Sequence, residues 1–186
     1  VRHFEARFFP VGQEKIGLLL RDLTPLQLAK SDLALAEKII ESAQEGIVVT
    51  DANGIIETVN AAFTRITGYD RDEALGRNPR ILKSDHHDAP FYRHMWQALR
   101  SVGKWEGEIW NRRKGGEVYP EWLAIHALRD AQGKTTHYVS VFSDLSHFKA
   151  QEAQIEHQTY HDRLTGLPNR AFFLDLLAME IDHARQ

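Results

Sequence analysis

Cysteine is absent from this chain. That excludes disulfides, thiolate metal sites and cysteine nucleophiles together. It fits a reducing compartment, and the expected location is cytoplasmic. Also lacking is any apolar run near the roughly 20 residues that cross a bilayer, or a signal-peptide pattern. No membrane contact is expected within these residues, although an anchor could precede residue 1. A surplus of one charge is missing too: 23 Lys and Arg face 26 Asp and Glu, a formal net charge of −3. No broad basic surface argues for nucleic acid. What remains is an ordinary globular composition, 42% apolar and 26% charged. The length suits one full domain plus fragments, or two small domains. The chain starts without Met and stops in mid-pattern, so it reads as a piece of a longer protein.

The most informative stretch runs from Met95-Trp96 to Trp105-Glu106-Gly107-Glu108-Ile109-Trp110-Asn111-Arg112-Arg113-Lys114. It reads as a helix end, a turn and a strand. Side chains alternate across a strand, so Trp105, Gly107, Ile109 and Asn111 share one face, the expected inward one. An inward Gly leaves room for something to lie flat on the sheet. An inward Asn must find hydrogen-bond partners. Together they predict a pocket for a flat, polar-edged ligand, on a domain that senses rather than catalyses.

Along the chain, Phe4 to Val11 and Lys15 to Arg21 read as paired strands ending at Asp22-Leu23-Thr24, after which a helix starts. Much later, Tyr138 to Ser143 ends at Asp144-Leu145-Ser146, and another helix starts. This is an internal repeat. Residues 1–24 are therefore expected to be the last strands of a preceding copy, with a private N-terminal hairpin as the alternative. Between the copies, residues 25–43 form a linker helix. Leu26, Ala29, Leu33, Ala36, Ile40 and Ala43 make a heptad seam suited to an identical partner helix. Leu28, Leu35 and Ile39 could instead pack on the chain's own domain.

The complete domain is expected over residues 44–144. Gly46 to Thr50 and Ile55 to Val59 form a hairpin around Asp51-Ala52-Asn53-Gly54, where Asn-Gly is a strong turn signal. Asn60 caps a short helix ended by Gly68, and Asp70 caps the next. A longer helix, Phe91 to Arg100, precedes strands Trp105–Arg112, Glu117–Leu128 and Thr135–Ser143. This order has only hairpins and one helical crossover. It predicts an α+β domain: a five-stranded antiparallel sheet with helices on one face.

The pattern resembles the PAS domain family. The resemblance rests on Gly46-Ile47-Val48-Val49-Thr50-Asp51, Asn60-Ala61-Ala62-Phe63, Thr67-Gly68-Tyr69, Trp105-x-Gly107 and Asp144-Leu145-Ser146. Each is weak alone, and the order and spacing carry the match. After an exit helix over 145–161, Asp162-Arg163-Leu164-Thr165-Gly166-Leu167-Pro168-Asn169-Arg170 is similar to the opening of GGDEF domains, the diguanylate cyclase family. Residues 162–186 would be an N-terminal fragment of one. That family's metal-binding aspartates, guanine-reading residues and G-G-D-E-F turn all lie further on. This chain is accordingly expected to be no enzyme itself, within a longer diguanylate cyclase, with or without a phosphodiesterase domain.

Two local matches imply a flavin. Gly76-Arg77-Asn78-Pro79-Arg80-Ile81-Leu82 resembles a segment of light-sensing LOV domains, with Pro79 where that branch has its photoreactive Cys. A light-driven flavin–thiol adduct is thereby excluded. The Trp96, Trp105, Gly107 and Asn111-Arg112-Arg113-Lys114 set looks like redox-sensing PAS domains that hold FAD. The resemblance implies that Asn78 and Asn111 pair with the ring edge, Trp96 and Trp105 pack near the ring, and Arg80 forks a phosphate. Alternatives are no cofactor or an unidentified ligand, and haem held by His86, His87 or His94, each of which reads more readily as a surface His. His157 and His161 with Glu156 could hold a metal by chance, and no function attaches to them.

The implied mechanism is a cyclic-di-GMP signalling module. A ligand or redox change in the PAS domain passes to Asp144 and Leu145. The exit helix, with a polar break around Glu152 and Thr159, then shifts against its mate in a homodimer formed through helices 25–43 and 145–161, and controls the GGDEF output. The alternative is a cofactor-free PAS dimerisation and spacing module.

Overall fold

The computed structural model describes residues 2–11 and 15–160, and scattered positions from 167 to 179. Most of the GGDEF-like motif, and with it His161, lies outside the described residues, as do the side chains of Glu156 and His157. β1 (Phe4–Val11) and β2 (Lys15–Asp22) pair antiparallel as a two-stranded sheet. α1 (Thr24–Ser42) follows, and none of its residues is buried. Leu28, Leu35 and Ile39 are more than half exposed, so the expected packing on its own domain is not seen, and Leu26 and Leu33 are exposed as well.

The main sheet contains β3 (Gly46–Asp51), β4 (Ile56–Val59), β5 (Lys104–Arg112), β6 (Val118–Arg129) and β7 (Thr135–Asp144). Its order is β4-β3-β7-β6-β5, with every pair antiparallel. Between β4 and β5 lie α2 (Ala61–Thr67), α3 (Arg71–Ala74), a 3₁₀ turn (Pro79–Leu82) and α4 (Ala89–Ser101). α5 (Ser146–Tyr160) leaves the end of β7. This is the α+β architecture expected from the strand order, with the 3₁₀ turn as an unforeseen piece.

Local chemistry explains the corners. At Asp51-Ala52-Asn53-Gly54, the Asp51 carboxylate accepts the N–H groups of Asn53 and Ile55, and Gly54 takes φ 78°. Asp130-Ala131-Gln132-Gly133 repeats the device: Asp130 accepts from Gln132 and Lys134, and Gly133 takes φ 80°. Among the described residues, no non-Gly residue has positive φ. The Asn-Gly signal thus works through its glycine, while the aspartate supplies the acceptor.

Phe63, Val48, Ile56, Val59, Leu82, Ile109, Leu123 and Phe142 form the core. Phe142 lies across Gly46, where a Cβ would fall 2.2 Å from the ring. The two strand–helix junctions are built alike. Asp22 accepts the Thr24 N–H at 2.8 Å, and Asp144 accepts the Ser146 N–H at 2.8 Å. In both, the intervening Leu N–H donates to a distant backbone carbonyl, of His3 or of Pro120.

Asn60 ties the domain to its entry helix. Its Oδ1 accepts from Ile47 and Phe63, and its Nδ2 donates to the carbonyls of Ile40 and Glu45. It is 2% exposed. Asn60→Ala removes a helix cap and leaves partly buried backbone groups unpaired, so it should destabilise the domain by about 3 kcal/mol in urea unfolding.

Candidate functional site

Between the inner face of the sheet and α4 lies a cavity of about 550 Å³. Val48, Ile109, Leu123, Ile125 and Phe142 from the strands, with Leu82, Met95 and Leu99 opposite, give it apolar walls. Its size is that of a small-molecule site. Strand alternation puts one polar patch into this wall: Asn111 from β5 and Glu121 from β6, 7% and 1% exposed.

The Glu121 carboxyl is held from both sides. Asn111 Nδ2 donates to Oε1 at 2.8 Å and the Tyr119 hydroxyl to Oε2 at 2.6 Å. Burial pushes this acid up to about 7, against the two hydrogen bonds, which favour the ionised form. Burial also drives the Tyr119 phenol far above its ordinary range, with Glu121 adding to the effect. Glu121 was not singled out from sequence. The signal was present: Tyr119, Glu121, Leu123 and Ile125 alternate on one face, so the acid had to point inward with its apolar neighbours.

Next to Tyr119 stands Arg113, its guanidinium 3.9 Å above the ring. It donates to Asp144 Oδ2 at 2.6 Å, to Glu117 at 3.0 Å and to the carbonyl of Ile66. Burial alone would raise the Asp144 carboxyl, but the Ser146 and Arg113 bonds outweigh it and hold the group below its usual range. Leu145 joins this end through its N–H on the Pro120 carbonyl, 2.9 Å away.

Four of the five residues expected at a ligand reach the cavity: Asn78, Arg80, Trp96 and Asn111. Both amides already have partners. Asn78 Nδ2 donates to the Gly54 carbonyl and its Oδ1 accepts from Arg80 N–H, fastening the 3₁₀ turn to the β3–β4 corner. Each amide retains a second N–H. Arg80 is exposed at the rim, and Trp96 meets Tyr138 edge to face.

Trp105 does not line the cavity. Its indole lies over Gly107, where a Cβ would come within 3.1 Å of Cζ2, and it meets Phe91 edge to face at 5.8 Å. The flat object on the inward glycine is therefore the strand's own tryptophan, and not a ligand.

The haem reading finds no axial ligand, since no histidine among the described residues lines the cavity. His94 is exposed on α4, and His86 stacks outside on Trp110. His87 is half-buried, contrary to expectation. It stacks on Phe91 at 3.9 Å, and its Nε2 accepts the Trp110 N–H at 3.0 Å. Burial, helped by His86, lowers its pKa and so suits this acceptor role. No His/Cys/Asp/Glu group that could hold a metal occurs among the described residues. None of their helices is long and apolar enough to cross a membrane.

A second polar group that sequence reasoning missed is the Tyr92 hydroxyl. It is buried, borders the cavity and has no hydrogen-bond partner among the described residues. Burial raises its pKa. A buried hydroxyl without a partner costs about 1–3 kcal/mol and marks a place where an occupant's polar atom fits.

A ligand-sized cavity between an antiparallel sheet and a helical crossover, with a helix leaving the last strand, defines a sensory α+β domain. Residues 44–147 match the family model described as PAS domain, and the chain belongs to that family. It is 35% identical over 108 residues to a nitrogen fixation regulatory protein of Klebsiella oxytoca, covering 58% of this chain and 22% of that protein. It is 30% identical over 158 residues to a bacterioopsin transcriptional activator of Halobacterium salinarum, covering 81% of this chain and 23% of that protein. The chain thus spans under a quarter of the length of these relatives. A solved light-oxygen-voltage domain, studied with a flavin analogue, superposes with a TM-score of 0.54 at 28% identity, covering 70% of this chain and 98% of that chain.

The Glu121 acid makes a specific pH signature. Its folded pKa exceeds its unfolded one, so its contribution to stability is complete below about pH 4.5 and is lost as pH rises through about 7. Glu121→Gln removes that loss. Relative to wild type, the variant should gain about 3 kcal/mol between pH 4.5 and pH 8 in urea unfolding. A pH-independent difference would place the acid's titration elsewhere.

Proposed function

We propose that this chain is the sensory module of a longer signalling protein, and that its cavity holds a flavin, FAD. The observation that carries the reading is the cavity itself: apolar walls, one unpartnered Tyr92 hydroxyl and a polar wall of Asn111 and Glu121. The residues fit the group. Asn78 and Asn111 each have a free N–H for ring-edge carbonyls, and Glu121 offers an acceptor for the N–H between them. Trp96 and Tyr92 supply aromatic surface. Arg80, Lys83, Arg93 and Arg100 border the cavity and can receive phosphates. The flavin analogue named with the superposed light-oxygen-voltage domain supports the same choice.

A bound flavin supplies a redox-active ring. The chain's own part is to hold its edge, exclude water and couple the site to α5 through Asp144 and Leu145. In this reading α1 and α5, the helices of segments 25–43 and 145–161, each pair with the same helix of a second copy. That would cover the apolar residues α1 leaves exposed. The output is a GGDEF domain beginning at 162–186, which makes the whole protein a cyclic-di-GMP enzyme. Support for that part is the motif from Asp162 to Arg170 alone. Within it, Asn169 Oδ1 accepts the Phe172 N–H at 3.0 Å, as a helix cap does.

The test is a visible absorption spectrum of the purified protein, before and after dithionite. A flavin spectrum that bleaches on reduction is expected, and Asn111→Ala should weaken FAD retention about tenfold, the worth of one good hydrogen bond. A protein that stays colourless with excess FAD would overturn the flavin and favour the cofactor-free dimerisation module.

A further inference from the structure

Glu121 and Asp144 are register partners on β6 and β7, so their side chains share one face of the sheet. One belongs to the cavity wall, and the other fastens the first turn of α5. Between them run three contacts: the Tyr119 hydroxyl on Glu121, the Tyr119 ring beneath Arg113, and the Arg113 pair with Asp144. The cavity and the exit helix are thus joined by one unbroken side-chain chain, without passing through the backbone of the sheet.

We propose that Glu121, Tyr119, Arg113 and Asp144 form an electrostatic link through which the charge on Glu121 sets how firmly α5 is fastened. It rests on the reading that the cavity is the sensing site. An occupant that presents an N–H donor or a cationic nitrogen to Glu121 holds it ionised. One that presents an acceptor holds it protonated.

The direction follows from charge. An ionised Glu121 strengthens its bond from the Tyr119 hydroxyl and makes the ring face more negative, which draws the guanidinium onto it. The same carboxylate competes with Asp144 for that cation. Arg113 then moves toward Tyr119, and its bonds to Asp144 and Ser146 slacken. A neutral Glu121 releases Arg113 to Asp144. The other charges facing this cluster are Glu117, which holds Arg113 Nε, and Arg80, Lys83, Arg93 and Arg100 around the cavity. The last four favour the ionised acid, and none touches Asp144.

The experiment needs no occupant. In the full chain with His147→Gln, which removes the imidazole next to Ser146, the Ser146 amide is followed by ¹⁵N NMR from pH 5 to 8.5. Glu side-chain carboxyls are followed by ¹³C NMR in the same samples. The Ser146 amide should inflect at the Glu121 midpoint, near pH 7. Glu121→Gln should abolish the inflection. Tyr119→Phe, which breaks the chain while keeping the ring, should at least halve it, and Arg113→Lys, which keeps the charge but not the planar stack, should do the same. A Ser146 amide that stays flat while Glu121 titrates would overturn the link, as would an inflection that survives Glu121→Gln. These outcomes are independent of the absorption spectrum, so loss of the flavin and loss of the link are told apart.

Discussion

One guanidinium fixes the geometry on which this domain's output end depends. Arg113 reaches the end of α2 at Ile66, the β5–β6 corner at Glu117, the end of β7 at Asp144 and the first turn of α5 at Ser146. Its flat face rests on Tyr119. The end of α2 and the β7–α5 junction, both distant from it in sequence, meet on one side chain with the local Glu117. A cation so placed can take part in several contacts, but its position is a balance among them. A lysine offers one compact charge and could satisfy only part of that set. The sheet supplies the frame: β6 lies between β5 and β7 and pairs with both, which sets Glu121 beside Asp144.

Much of this was legible in the sequence, for reasons that are local. The five strands follow from period-two alternation, and two of the corners follow from an aspartate three residues before a glycine. Asn60, Gly68 and Asp70 mark helix ends through backbone chemistry that needs no distant partner. The repeated Asp-Leu-Thr/Ser junction was visible as spelling, and the structure gives both copies the same pair of hydrogen bonds.

The site was only half legible, because its meaning lies in pairings across strands. Asn111 was placed inward, but its partner is Glu121, ten residues away along a hairpin. Gly107 was read as room for a ligand, while Trp105 on the same strand fills that room. Asn78 points to the cavity, yet one of its N–H groups serves the Gly54 corner. His87 looked like part of a polar loop and is instead tucked against Phe91, where it accepts a strand N–H. In each case the deciding partner was set by packing, by register and by the path of the 3₁₀ turn. Glu121 escaped notice because a lone acid among apolar residues carries no motif.

The matched junctions at Asp22 and Asp144 have a consequence for how such proteins grow. A helix enters after the first and another leaves after the second, each fastened by the same aspartate on the same N–H. A unit bounded in this way has interchangeable couplings, like links of one gauge. It can be duplicated, deleted or placed ahead of a different effector without redesigning the joint. The cavity behind the second joint can then diverge while the joint itself is kept.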